Sequence, residues 1–284
     1  MRILVTGASG VIGRNLIPLL VKDGHVVGGM VKSAASERIV AEMQAEPFVV
    51  DAFLQEDVDH MFQVFQPDVV IHQITALRQW NTFDNAHVRI EGTKNIVDAA
   101  KRVHVKRIVA QSISWAYEAG DAPATEDTAL DLSAAEPRKT TIDGIVSLEQ
   151  KVTEIPEYVI LRNGALYGPG TWYAADGSIA DKVRKREMTA TDGVTSFVHV
   201  QDAVNAIMLA LDWESGIFNI VDDMPVPGNV WIPAYAKLIG ADEPAILQGR
   251  SGIERGASNA KARRLGWSPV FPTWEDGFKD MLLK

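Results

Sequence analysis

The sequence predicts an α/β fold built on a parallel, doubly wound sheet, and three observations predict it. Short runs rich in Val and Ile alternate with amphipathic stretches of helical length from Met1 to Arg162. A glycine pattern follows the first of these runs at once. The 284 residues are 46% hydrophobic and 23% charged, enough to bury a large core, which excludes a disordered chain.

The elements follow in order. Strands are expected at 2–5, 25–31, 47–50, 68–74, 106–111 and 158–162, each bounded by Gly, Pro or charge. Helices are expected between them at 11–23, 34–45, 55–65, 85–103 and 140–153, the fourth ending in the basic turn of Lys101, Arg102 and His104. Strict alternation calls for right-handed crossovers with helices on both faces of the sheet. The rhythm breaks after Tyr167, where Gly168-Pro169-Gly170-Thr171-Trp172-Tyr173 reads as a loop, and again at Pro225, Pro227 and Gly228. A helix at 230–240, a helix start at Ser258-Asn259-Ala260 and a stop at Trp267-Ser268-Pro269 complete a small C-terminal lobe. Asp202 is expected to cap a helix starting at Ala203.

Charge and composition exclude several functions. Lys plus Arg number 28 against 37 for Asp plus Glu, a formal charge of -9, so no basic field is available for nucleic acid or an anionic membrane. There is no Cys, which removes disulfides, thiolate nucleophiles and zinc-thiolate sites. His60, His87 and His104 have no partner at metal-ligand spacing, so no metal is expected. The first apolar run meets Gly7 too early for a signal peptide, and no apolar run has membrane-spanning length, so a cytoplasmic protein is expected.

Thr6-Gly7-Ala8-Ser9-Gly10-Val11-Ile12-Gly13 follows the first strand and opens the first helix, the setting a dinucleotide fingerprint requires. Gly7 permits the tight turn, Gly10 lets a pyrophosphate approach the backbone, and Gly13 lets the helix pack closely on the strand. The N–H groups of Ser9, Val11 and Ile12 lie in this cradle at the positive end of the helix. The second strand ends at Val31-Lys32-Ser33, with no acid to hold ribose hydroxyls. Lys32 and Ser33, helped by Arg38 and Arg14, would instead receive a 2′-phosphate, so NADP is expected over NAD.

On these residues the chain resembles the short-chain dehydrogenase/reductase superfamily, in its extended or atypical NAD-dependent epimerase/dehydratase-like branch. The resemblance runs through Glu91-Gly92-Thr93-Lys94-Asn95, Leu161-Arg162-Asn163-Gly164-Ala165-Leu166-Tyr167-Gly168-Pro169-Gly170, Phe197-Val198-His199-Val200-Gln201-Asp202-Ala203 and Ala262-Arg263-Arg264-Leu265-Gly266-Trp267-Ser268-Pro269. It implies a Rossmann-like dinucleotide-binding domain, expected over 1–167 plus about 195–222, and a smaller substrate-side lobe over 168–194 and 223–284. It also implies that Asp51 and Ala52 sit by the adenine. Gln73, Ile74, Thr75 and Ala76 would line the cofactor's ribose and pyrophosphate, and Arg89 stands where relatives often have an Asn. A homodimer through the helices at 85–103 and 140–153 is common in such a family.

The sequence departs from that family at its catalytic pair. Relatives that transfer hydride pair a Tyr with a Lys four positions on, yet none of the tyrosines at 117, 158, 167, 173 and 235 has one. With Glu149 aligned to the acid that follows that Lys, the pair falls on Thr141 and Ile145. The remaining catalytic candidates are Ser112 and Ser114, to hold a substrate carbonyl, and Tyr117, to supply the proton with Arg89, His72 or Lys139 as acidifying neighbour. Trp172 and Tyr173, and equally Trp80 and Phe83, are candidates to cover a small-molecule substrate. The expected function is an NAD(P)-dependent oxidoreductase or epimerase acting on a carbonyl or alcohol, with an NAD(P) sensor as the alternative. A sugar-nucleotide enzyme would use Lys182, Arg184, Lys185 and Arg186 for a second diphosphate.

Overall fold

The computed structural model describes residues 1–77, 81–250 and 255–283. The alternation holds: β1 (Arg2–Thr6), α1 (Val11–Lys22), β2 (Val26–Val31), α2 (Ala34–Glu42), β3 (Glu46–Val49), α3 (Gln55–Phe65) and β4 (Val69–His72) come first. The long fourth helix is not uniform. It begins as α4 (Thr82–His87), widens into a π-helical turn at Val88–Gly92 and continues as α5 (Thr93–Arg102). Then come β5 (Arg107–Ile113), α6 (Arg138–Val152), β6 (Glu157–Asn163), β7 (Ala165–Tyr167), α7 (Ser178–Arg184), β8 (Val194–Thr195) and β9 (Phe197–His199). The chain ends with α8 (Val200–Ala210), β10 (Gly216–Ile220), β11 (Val226–Pro227), α9 (Gly228–Leu238), α10 (Ala260–Arg264) and α11 (Trp274–Leu282).

Seven strands form one sheet in the order β10-β6-β5-β4-β1-β2-β3, and the pairs β1·β2, β2·β3, β1·β4 and β4·β5 are parallel. The order reverses between β1 and β4, which is the topological switch point of a Rossmann-like sheet and the place where such folds hold ligands. Helix α1 buries Ile12, Leu16, Ile17 and Leu20, and α3 buries Val58, Met61, Phe62 and Phe65, each a stripe at the spacing the sequence showed. Phe65 meets Phe48 edge-on at 5.6 Å, while Arg2 lies 4.5 Å from its ring centre. No helix among the described residues is long and apolar enough to cross a membrane.

The chain divides into two compact units. The first is Met1–Ser112, Leu132–Leu161 and Ile207–Ile217; the second is Ile113–Asp131, Arg162–Ala206 and Phe218–Lys284. Within the second, an aromatic core gathers Tyr167, Phe197, Trp231, Tyr235, Trp274 and Phe278. Asp202 does not cap a helix there: α8 already starts at Val200, and the buried carboxylate accepts N–H groups from Val270 at 2.6 Å and Phe271 at 3.1 Å. A partner 68 residues away took the side chain that local pattern assigned to a cap.

Candidate functional site

The turn from β1 into α1 is shaped by its three glycines. Gly7 has φ +69°, a left-handed conformation, and a Cβ there would lie 2.8 Å from the Gln73 carbonyl oxygen, so the turn meets the end of β4 backbone to backbone. A Cβ at Gly13 would lie 2.4 Å from the Ala8 carbonyl oxygen, which is why α1 can lie on its own turn. Gly10 differs. Its Cβ would meet only the Gly7 carbonyl oxygen, at 3.1 Å, so the protein leaves the space in front of Gly10 open. No side chain caps α1 and its first turn has no acid, which leaves the positive helix end available to an anion. Arg14 turns back to the Ser9 carbonyl at 2.7 Å. Gln73 is buried, yet among the described residues both its amide oxygen and nitrogen lack a partner. A buried amide left open at a switch point fits a polar ligand such as a dinucleotide.

Beside this cradle, Lys32 is exposed at the end of β2, with its ammonium 5.8 Å from the Phe53 ring centre. Ser33 leads into α2 without capping it, its hydroxyl 3.2 Å from that of Ser36. Arg38 is paired with Glu42 at 2.6 Å on the exposed face of α2. Asp51 accepts the Phe53 N–H at 3.1 Å, and the Ala52 carbonyl accepts from Asn95 at 2.9 Å, so this turn is pinned. The segment after β4 is pinned likewise, the Ala76 N–H donating to Asn85 at 3.0 Å, with Ile74 half-buried and Thr75 exposed. Trp80 lies outside the described residues.

His72 is a latch. Its Nδ1 lies 2.9 Å from the Thr6 hydroxyl and its Nε2 3.0 Å from the Thr93 hydroxyl, joining β1, β4 and α5. Burial lowers its pKa to about 4, so it stays neutral and cannot acidify a tyrosine. The unfolded chain accepts a proton near pH 6.5 that folded His72 refuses. Stability should therefore be complete above pH about 6.5 and fall by about 3 kcal/mol as the pH drops toward 4, a slope that His72→Gln should remove in denaturant melts.

Ser112 is fully buried and donates its hydroxyl to Glu149 at 2.6 Å, so it is not offered to a carbonyl. Arg89, on the π-helical turn, is buried too. Burial lowers its pKa to about 10, against the opposing charge of Glu149. Thr141 and Ile145 are buried on α6, a helix without a tyrosine, and Lys139 is exposed and paired with Asp143 at 2.5 Å.

In the second unit Tyr117 is 1% exposed and donates its hydroxyl to Asn219 at 2.6 Å. Asn219 in turn donates to the carbonyls of Ala124 and Ser258. Burial raises the Tyr117 pKa, and the Arg162 guanidinium, 4.9 Å from its ring, opposes that only in part. Neither Arg162 nor Asn219 was legible in the sequence as a neighbour of Tyr117, because each meets it only through the fold. Ser114 is buried with its N–H on the Asn163 carbonyl at 2.9 Å. Tyr173 is not a ligand cover: it packs among Phe197, Trp231, Tyr235 and Phe278, and Trp172 is half-buried beside the same core. His199 is wedged between Tyr167 and Phe271, and Phe83 is exposed. Arg184 and Arg186 pair with Asp181 and Asp242 on the surface.

Residues 3–220 match the model of the NAD dependent epimerase/dehydratase family. The chain belongs to that family. A 3-diazoavenalumate denitrifying reductase of Streptomyces is 37% identical, over 98% of this chain and 99% of its own. A putative UDP-glucose 4-epimerase of Methanocaldococcus jannaschii is 26% identical over 94% and 93%. Among solved structures, the UDP-glucose 4-epimerase of Thermotoga maritima with UDP-glucose superposes with a TM-score of 0.80 at 21% identity, covering 100% of this chain and 98% of that one. The UDP-glucose 4-epimerase of Thermus thermophilus with NAD gives 0.77 at 24%, over 99% and 98%. As a member of the epimerase/dehydratase family this chain is an NAD-dependent enzyme of the reductase and epimerase kind, and the comparisons give the sensor alternative no support.

Proposed function

We propose that the chain is an NADP-preferring reductase that passes hydride to a small electron-poor acceptor, such as the diazo group of an organic acid, with no proton donated by the protein at the reacting atom. The observation that carries this reading is the buried pair Thr141 and Ile145, neither of which titrates, where the family would place its Tyr and Lys. Tyr117 does not fill the gap, since its hydroxyl is committed to Asn219 and its pKa is raised.

Bound nicotinamide dinucleotide would supply the hydride. The chain's own residues would hold it: Gly7, Ser9, Gly10, Val11, Ile12 and Gly13 at the pyrophosphate, Lys32 and Ser33 at the 2′-phosphate, Asp51 and Ala52 at the adenine. Gln73, Ile74, Thr75, Ala76 and Arg89 would serve the riboses, and Ser114 would orient the substrate. The substrate side belongs to the lobe of 168–194 and 223–284. A carbonyl that takes hydride becomes an alkoxide and must be protonated. When the diazo acid reacts as its cationic diazonium form no outside proton is needed: hydride adds to the terminal nitrogen to give a neutral C–N=N–H group, the C–N bond breaks with its electrons left on carbon, the N–H proton moves to that carbon as the N–H electrons complete the N≡N bond, and N2 leaves. The relative named as a denitrifying reductase of a diazo acid supports this acceptor.

The test supplies NADPH with a diazo acid and with a panel of aldehydes and ketones. One N2 should be released per NADPH consumed, and Tyr117→Phe should leave kcat within about twofold while lowering stability by about 1–3 kcal/mol, because Asn219 loses a buried donor. Faster turnover of the carbonyls, with Tyr117→Phe costing roughly 10²–10⁴ in kcat, would replace the reading by general-acid catalysis. Lys32→Ala should weaken NADPH about tenfold and NADH hardly at all, since only the former carries the 2′-phosphate. A wild-type preference for NADH in the same calorimetry would reverse the cofactor choice.

A further inference from the structure

Asn163 ends β6 and is 4% exposed, yet its side-chain oxygen Oδ1 has no hydrogen-bond partner among the described residues. A buried carbonyl oxygen left without a donor is costly, and native folds seldom keep one without a use for it. The backbone around it is anchored. The Asn163 carbonyl accepts the Ser114 N–H at 2.9 Å, the Gly164 N–H donates to the Ile220 carbonyl at 3.0 Å, and the Ala165 N–H donates to the Ser196 carbonyl at 2.8 Å. A Cβ on Gly164 would lie 2.6 Å from the Ser196 carbonyl oxygen, so the chain just after Asn163 is pressed against the residue that leads into β9.

Two other buried asparagines of the same unit show how a structural amide is used. Asn219 accepts the Tyr117 hydroxyl and donates to the carbonyls of Ala124 and Ser258, and Asn259 donates to the Val221 carbonyl and the Asp223 carboxylate. The Asn163 oxygen has no such task within the described fold. Its place points to a ligand. β5 and β6 are neighbours in the sheet, β5 ends at Ile113 and β6 at Asn163, and the bond from the Ser114 N–H ties the two strand ends together. Open α/β sheets bind their ligands outside the carboxyl ends of the strands.

We propose that Asn163 is a specificity-determining residue of the substrate site: its Oδ1 accepts a hydrogen bond from an O–H or N–H group of the substrate, so the preferred acceptor is an organic acid that carries a hydroxyl or amino group. This rests on the reading, given above, of Ser114 as the residue that orients the substrate. A leucine of similar shape would fill position 163 without an unmet oxygen, so stability alone does not call for the amide.

The experiment measures, by calorimetry with and without NADP+, dissociation constants of benzoate and its ring-hydroxylated, amino and methoxy derivatives, which lack the diazo group and cannot react. Wild type should bind the hydroxylated or the amino acid about tenfold more tightly than benzoate or the methoxy compound, the worth of one hydrogen bond, and the better of the two donors names the group. Asn163→Leu should bind all four alike and melt at or above the wild-type temperature. A preference that survives Asn163→Leu, wild-type binding that is equal or absent for the four, or a preference for the methoxy compound, which only accepts, would overturn the proposal. Should Asn163→Leu fail to fold, Asn163→Ala takes its place, and failure of both would show a structural residue and overturn it too. Release of N2 separates this proposal from the reductase reading. Donor-dependent binding without N2 from any diazo acid would remove the reductase and keep Asn163; equal kcat/KM for hydroxylated and unsubstituted diazo acids would keep the reductase and remove Asn163.

Discussion

Gly10→Val is expected to fold normally and to lose measurable binding of both NADPH and NADH. Gly10 has φ −74° and ψ 174°, extended backbone that valine adopts readily, and within the protein its Cβ would meet only one carbonyl oxygen, at 3.1 Å. The fold therefore has little reason to demand glycine there. A branched side chain would fill the space in front of the α1 N-terminus, where the pyrophosphate must approach the backbone. Affinity should fall by at least about a hundredfold, roughly 2.7 kcal/mol, while the melting temperature stays near that of the wild type. Unchanged affinity in a folded variant would remove the cradle from the cofactor site. A variant at Gly7 would not make the same test, since its φ of +69° would strain any branched residue.

Gly277→Ala is expected to be among the most destabilising single-methyl changes in the chain. A Cβ there would lie 1.8 Å from the Tyr167 hydroxyl and 2.4 Å from two of its ring carbons. Tyr167 has no exposed surface and is edged by Phe197, His199 and Phe278, so it has nowhere to retreat. Helix α11 would have to move, at a cost of about 3 kcal/mol, the upper part of the overpacking range. Thermal melts should show a fall of several degrees. The Tyr167 hydroxyl is itself buried without a partner among the described residues, so Tyr167→Phe should be neutral or stabilising and should recover part of the loss in the double variant. A Gly277→Ala protein as stable as wild type would show that α11 packs less tightly than this contact implies.

Much of the molecule is local information, and that part was legible in the sequence. Val/Ile runs and 3.6-residue periodicity located β1 to β6 and α1 to α6, and the strand-turn-helix setting located Gly7, Gly10 and Gly13. These depend on neighbours a few residues apart, so no fold is needed to see them. Side chains with several possible partners were not legible in the same way. Tyr117 read as an acid, but Asn219, 102 residues on, binds its hydroxyl. Asp202 read as a cap, but two N–H groups near Pro269 take its carboxylate. His72 read as a titrating neighbour, but hydroxyls from Thr6 and Thr93 and complete burial hold it neutral. Glu149 served only as an alignment mark until the fold set it against the Ser112 hydroxyl. Sequence by itself thus determined the sheet and the glycine turn that opens α1. Only the tertiary structure decided which polar groups are already bound and which are left open, because burial and long-range pairing set the energy of a polar group and neither is written in its near neighbours.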